Sequence, residues 1–346
     1  MTTYILQALI LSAITVSIAA AVQPFNIGVN YGMLGDDILD AIEVVKILKM
    51  YSIDNLRILA PDHATLEALR KSNIKLCLGI RNEDLPYLAT RQKDMNEWFA
   101  ENVQPYVEDV IFSYITVGHE TIPSDYAPFI LPVMQDLQTL LHSHGLDSIK
   151  VSTVISTATL GTSSPPSHGI FSTETRVTMI DVLKFLKNTN SPLLINVYPY
   201  FVVAEDPVNV RLDYALFTAK DVVVKDGNLS YYNMFEAIVD SFFWAMEKEG
   251  FSDVEVVISE SGWPSAGNGN LTTPEMAYTY NYHFVRRVQN FGTPKRPQAS
   301  LEGFIYELFN ENRKGTTVEQ NFGIMYPNKQ PVYPLSINQL FPSLNK

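Results

Sequence analysis

Two glutamates in this 346-residue chain stand at the ends of apolar, strand-like runs, where a carboxylate could do chemistry. Glu260 follows Val256-Val257-Ile258, an uninterrupted apolar stretch of the kind buried on both faces of a parallel sheet. Gly262 and Pro264 turn the chain directly after it. Glu120 closes the run Ile111–Gly118 in the same manner, one residue beyond His119. Two carboxyl groups about 5–5.5 Å apart, one protonated and one ionised, can break a glycosidic bond with retention of configuration. The first protonates the leaving oxygen and the second attacks the anomeric carbon. The negative neighbour also helps to keep the acid protonated. A lone glutamate at a strand end commonly meets only solvent, so this reading requires both strands to open on one face.

The elements that must position them repeat along the chain. Apolar runs fall at Phe25–Tyr31, Asn55–Leu59, Ile74–Ile80, Ile111–Gly118, Ile149–Ile155, Leu193–Tyr198, Val254–Ser259 and Leu301–Phe309. Helix-period segments lie between them, at Asp37–Tyr51, Ala64–Ser72, Met95–Tyr106, Tyr126–His144, Arg176–Lys187, Tyr232–Glu249 and Pro274–Gln289. Eight strands alternating with helices predict a single-domain (β/α)8 TIM barrel over residues 23–346, in which the fourth and seventh strands open on one mouth. A doubly wound open sheet is the competing architecture. Asn30-Tyr31-Gly32-Met33-Leu34-Gly35 after the first strand, however, is not a dinucleotide-binding turn. The insertions Thr157–Thr173 and Phe201–Tyr231 follow strands and are expected to elaborate the cleft.

The motif Ser259-Glu260-Ser261-Gly262-Trp263-Pro264-Ser265 resembles the signature of glycoside hydrolase family 17, the plant β-1,3-glucanases. Ile27-Gly28-Val29-Asn30-Tyr31-Gly32, Asn82-Glu83-Asp84-Leu85-Pro86 and Ile115-Thr116-Val117-Gly118-His119-Glu120 are similar to other segments of that family. So are Pro192–Phe201, Asn233–Asp240 and Asn321-Phe322-Gly323, which extends the resemblance over roughly residues 25–335. It implies a retaining endo-1,3-β-glucanase that needs no cofactor or metal, with Glu260 as nucleophile and Glu120 as acid/base. It further implies supporting or substrate-binding roles for His119, Asn196, Glu311, Lys314 and Glu319. Tyr31, Tyr198, Tyr200, Phe201, Trp263 and Phe322 are expected to line sugar subsites, or alternatively to pack the core.

Two residues depart from the family pattern. His119 stands where Asn usually precedes the acid/base glutamate, and Leu59 stands where Tyr is more common. They motivate an alternative, a glucan-binding barrel with weak or lost catalysis. A barrel hydrolase acting on a different glycan is a third reading.

Composition bounds the rest. With 46% hydrophobic residues the chain can build a large core. A net charge of −12 argues against a nucleic-acid partner. Residues 1–22 read as a cleaved signal peptide, an apolar stretch ending in Ala19-Ala20-Ala21, so the protein is expected to be secreted to the extracellular space or cell wall rather than the vacuole. The end, Phe341–Lys346, lacks the apolar tail of a glycolipid anchor, and a monomer without a membrane anchor is expected. Cys77 is the sole cysteine, which excludes an intrachain disulfide and suits a small buried hydrophobe. Asn228-Leu229-Ser230 and Asn270-Leu271-Thr272 are glycosylation sequons. His63, His142, His144, His168 and His283 show no metal-ligand spacing.

Overall fold

The computed structural model describes residues 27–290 and 292–333; the expected signal peptide, 1–22, lies outside them. Eight parallel strands form a closed barrel in chain order. They are β1 (Ile27–Asn30), β2 (Asn55–Ile58), β3 (Lys75–Ile80), β4 (Ile111–His119), β5 (Lys150–Ile155), β6 (Leu193–Asn196), β7 (Val256–Ser261) and β8 (Glu302–Ile305). β1 pairs with both β2 and β8, closing the ring, with Ile27 opposite Gly303 and Val29 opposite Leu56. This is the (β/α)8 TIM barrel expected from the alternating pattern, in one domain.

Buried side chains form two shells. Cys77, Val154, Leu194, Val257 and Phe304 fill the barrel interior, with Tyr114 packed against them. Cys77 is thus a core residue, and burial pushes its thiol up to about 12. A larger cluster lies between the strands and the surrounding helices. Helix starts are set locally: Asp40, Asp62 and Asn233 each accept a hydrogen bond from the backbone N–H three residues on. These caps fix where the helices Ala41–Met50, His63–Leu69 and Met234–Lys248 begin.

The strands differ from the sequence pattern mainly at their ends. β8 stops at Ile305, although apolar residues continue to Phe309, because Leu308 and Phe309 leave the ring to pack in the core beyond it. β7 runs on through Glu260 to Ser261, so this glutamate lies within the strand and not at its exit. The register shifts between Ile258 and Glu260 against β6, and between Thr116 and His119 in β4 against β5. Each glutamate-bearing strand therefore carries an irregularity just before its glutamate, a device that re-aims side chains. The insertion after β5 forms a short antiparallel pair, Leu160–Thr162 with Ile170–Phe171. The insertion after β6 contains the helices Pro199–Glu205 and Leu212–Ala215 and a hairpin, Val224–Asp226 with Leu229–Tyr231.

Candidate active site

Glu120 and Glu260 meet at the carboxyl ends of the strands. Glu120 follows β4 with φ 52°, a left-handed conformation that turns its exposed side chain over the mouth. Its N–H is tied to Val154 O at 2.9 Å. Glu260 is 3% exposed. The amide nitrogen of Asn196, at the end of β6, donates to Glu120 Oε1 at 2.6 Å and to Glu260 Oε2 at 3.1 Å. Ser259 Oγ donates to the Asn196 carbonyl at 2.7 Å, which fixes the amide with its nitrogen toward the glutamates. One oxygen of each glutamate and one ring nitrogen of His119 all lie within 4.8 Å of one another.

Arg57 on β2 organises the floor. It is 1% exposed and donates at 2.6 Å to Glu260 Oε1 and at 2.6 Å to Asn30 Oδ1. Asn30 in turn donates to Ser259 O and Ile305 O, tying β1 to β7 and β8. Tyr198 donates its hydroxyl to Glu260 Oε2 at 2.8 Å. Burial alone would raise the Glu260 carboxyl. The Arg57 guanidinium, with hydrogen bonds from Arg57 and Tyr198, outweighs it and holds the group below its ordinary value. Glu260 is therefore a buried carboxylate kept ionised.

His119 closes the third side. Arg57 Nη2 lies 3.1 Å from His119 Nδ1. A guanidinium can only donate, so Nδ1 holds the lone pair and the ring proton sits on Nε2. That Nε2 is 3.6 Å from Glu260 Oε1, beyond hydrogen-bond range, and it has no other partner among the described residues. Asn82 braces the His119 backbone from both sides, accepting from its N–H at 2.8 Å and donating to its carbonyl at 3.1 Å. The His119, Glu120 and Glu260 trio is compact enough to meet a cation, but Arg57 already bonds two of its three members, and a metal would have to displace that charge.

Two adjoining hollows, of about 640 and 500 Å³, share Leu34, His119, Tyr306 and Lys314. The larger holds Glu120, Asn196, Tyr198, Phe201, Glu260, Glu319 and the edge of Phe322. The smaller is lined by Tyr31, Leu59, Pro61, Ile80 and Asn82, so both departures from the family pattern border the same hollow. At the shared wall Lys314 Nζ contacts Glu307 Oε1 at 2.6 Å, Glu311 Oε2 at 2.5 Å and donates to the Tyr306 hydroxyl at 2.6 Å. Burial drives the Glu307 carboxyl well above its usual value, even against the charge of Lys314. Burial would also raise Glu311, but its hydrogen bond with Glu307 and the charge of Lys314 hold it low. Glu307 and Glu311 thus form a buried pair sharing one lysine, with Glu307 held high and Glu311 low.

The expected aromatic subsites need correction. Trp263 is fully buried, its indole N–H donating to Leu271 O at 2.8 Å and its ring packed edge-on against Tyr200, so it presents no face to a ligand. Tyr200 is equally buried. Tyr198 and Tyr31 line the hollows, but each hydroxyl has an internal acceptor, Glu260 Oε2 and Leu39 O. Phe201 is the ring with an open face, 45% exposed. Glu319 is exposed at the outer wall, apart from the Glu311–Lys314 pair. Sequence reasoning missed Arg57, Asn30, Glu307 and Asn82. An arginine in the otherwise apolar strand Asn55-Leu56-Arg57-Ile58 was a readable signal, since a buried charge needs a buried partner.

A parallel barrel with two glutamates converging on its carboxyl-end mouth defines a barrel glycosidase. The chain belongs to the Glycosyl hydrolases family 17, whose family model matches residues 27–337. It is 47% identical to a probable glucan endo-1,3-beta-glucosidase, BG4, of Arabidopsis thaliana, over 90% of each chain. It is 39% identical to the basic vacuolar isoform GLB of glucan endo-1,3-beta-glucosidase from Nicotiana tabacum, over 96% of this chain and 89% of that protein. Among solved structures, CJP38, a beta-1,3-glucanase and allergen of Cryptomeria japonica pollen, superimposes with a TM-score of 0.87 at 42% identity. That match spans 92% of this chain and all of the other. The protein is a glycoside hydrolase. Among the described residues no helix is long and apolar enough to cross a membrane.

Proposed function

We propose that this enzyme is a secreted endo-hydrolase of β-1,3-glucan acting with retention, with Glu260 as nucleophile and Glu120 as acid/base. The observation that carries the mechanism is the sharing of the Asn196 amide by both glutamates, with oxygens of the two within 4.8 Å. So near an approach favours double displacement, with carboxyl groups about 5–5.5 Å apart, over inversion, which separates them by about 6.5–9.5 Å to admit a water. Their environments also divide the roles: Glu260 is buried and kept ionised by Arg57 and Tyr198, while Glu120 is exposed at the rim, where a leaving group departs. In the first step Glu260 attacks the anomeric carbon as Glu120 gives its proton to the departing oxygen. In the second, Glu120 takes a proton from water, which displaces Glu260. His119 offers its Nε2–H to the ring hydroxyl beside the reacting carbon, and Phe201 offers a stacking face. The relatives named for β-1,3-glucan support the substrate, and the apolar leader supports secretion.

The test is hydrolysis of laminarin followed by proton NMR of the first-formed anomer, with a 2-deoxy-2-fluoro laminaribioside as a trap. β-Anomer release and covalent label on Glu260 are expected. An α-anomer, or label on another residue, refutes the assignment.

A further inference from the structure

The insertion after β6 carries a motif that the active site leaves unused. We propose that Asn228 is an N-glycosylation site, on a hairpin that holds the glycan clear of the cleft; this rests on the secretion reading above. Leu229 pairs with Asp226, Ser230 with Lys225 and Tyr231 with Val224, so Gly227 and Asn228 alone form the loop at the tip. Gly227 has φ 57°, as a two-residue hairpin turn requires, and a Cβ built there would meet nothing within 4 Å. The tip therefore projects into open space. Asn228 is exposed and its carboxamide has no partner among the described residues, so a sugar on Nδ2 displaces no contact. Ser230, which completes the sequon, turns its hydroxyl to the exposed Lys225 ammonium at 3.0 Å.

The support beneath the tip is firm. Asp226 accepts from the N–H and hydroxyl of Ser167, both at 2.6 Å, and the buried Tyr231 donates to Asp240 at 2.9 Å. No residue of this hairpin lines either hollow. In the second sequon Asn270 is exposed too, but the threonine that completes it is tied into the fold. Thr272 is buried, and its hydroxyl oxygen accepts from the Asn268 N–H at 2.7 Å, in a loop whose Leu271 carbonyl holds Trp263. A bulky polar group belongs on the free tip.

The experiment is translation of the full chain with endoplasmic-reticulum microsomes, read by protease protection and by mobility before and after peptide N-glycosidase F. Protected chains should show an upward shift that the glycosidase removes. Asn228→Gln and Ser230→Ala should both abolish the step that belongs to this site, and the secreted Asn228→Gln enzyme should keep the laminarin kcat/KM of wild type. Protected chains without a shift, or a shift that both variants leave intact, overturn the glycan while secretion stands. Unprotected chains overturn secretion and the glycan together.

Discussion

Arg57 and Glu260 form an ion pair at 2.6 Å in which both side chains are almost wholly buried. Taking one partner from such a pair leaves an unmatched buried charge, which costs about 3–5 kcal/mol. Arg57→Met should therefore lower stability strongly at pH 7. Because Glu260 is held below its ordinary value, the folded protein binds fewer protons there than the unfolded chain. The pair's contribution is complete above the unfolded carboxyl value of about 4.3 and is lost as pH falls through the lower folded value. In the variant Glu260 loses its counter-charge and can take up a proton near pH 4. Melting temperatures of both proteins at pH 7 and 4 should show a deficit that shrinks in acid; an equal deficit at both would contradict the electrostatic account.

His119 separates geometry from residue type. If its Nε2–H serves the hydroxyl beside the reacting carbon, His119→Asn should keep activity and His119→Ala should lose roughly 10–100-fold in kcat/KM, as for a hydrogen bond made mainly in the transition state. The 2-deoxy form of an aryl laminaribioside should cost wild type a similar factor and cost His119→Ala little more. Additive losses would mean that His119 acts elsewhere.

Leu59 borders the smaller hollow beside His119. Leu59→Tyr should restore a ring for a sugar to lie against and lower KM for laminarin by about 2–10-fold, the range of one aromatic contact, with kcat unchanged. A rise in KM would show that the hollow needs the open volume that leucine leaves.

Phe201 and Trp263 should part company in a stability assay. Trp263→Ala removes a fully buried indole and should cost about 3–5 kcal/mol of stability. Phe201→Ala, at a half-open ring, should leave the melting temperature nearly unchanged and raise KM. Parallel calorimetry and kinetics would decide, and a large melting loss for Phe201→Ala would place that ring in the core.

A second pH effect arises away from the cleft. Glu236 is buried under the helix cap at Asn233 and paired with Arg287; burial raises its carboxyl to about 6 despite that pairing. The folded state then binds the proton more tightly than the unfolded chain, so this group's contribution falls as pH rises from about 4.3 to 6. Subtracting the Glu236→Gln stability profile from that of wild type should expose a decline across that window. A flat difference would contradict the raised value.

The sequence by itself determined the architecture and marked two glutamates near strand ends as candidates. Strand-length apolar runs alternating with helix-period segments require a parallel sheet covered on both faces, and eight such units without a dinucleotide-binding turn favour its closure into a barrel. Glu120 and Glu260 were legible because a carboxylate at the end of an apolar run must meet either solvent or a buried partner, as Glu260 meets Arg57. What sequence could not decide was which polar side chains share one point in space. Asn196 and Glu260 face each other on the neighbouring strands β6 and β7, but Arg57 lies on β2, and only barrel closure brings it within hydrogen-bond reach of Glu260. Local pattern was equally blind to the register shifts that place Glu260 inside β7, and to the fate of Trp263, whose ring neighbours Tyr200 and Tyr280 come from two different helices. Apolar period reports which face of an element is buried; it carries no information on what lies opposite, and that is set by the packing of the whole chain.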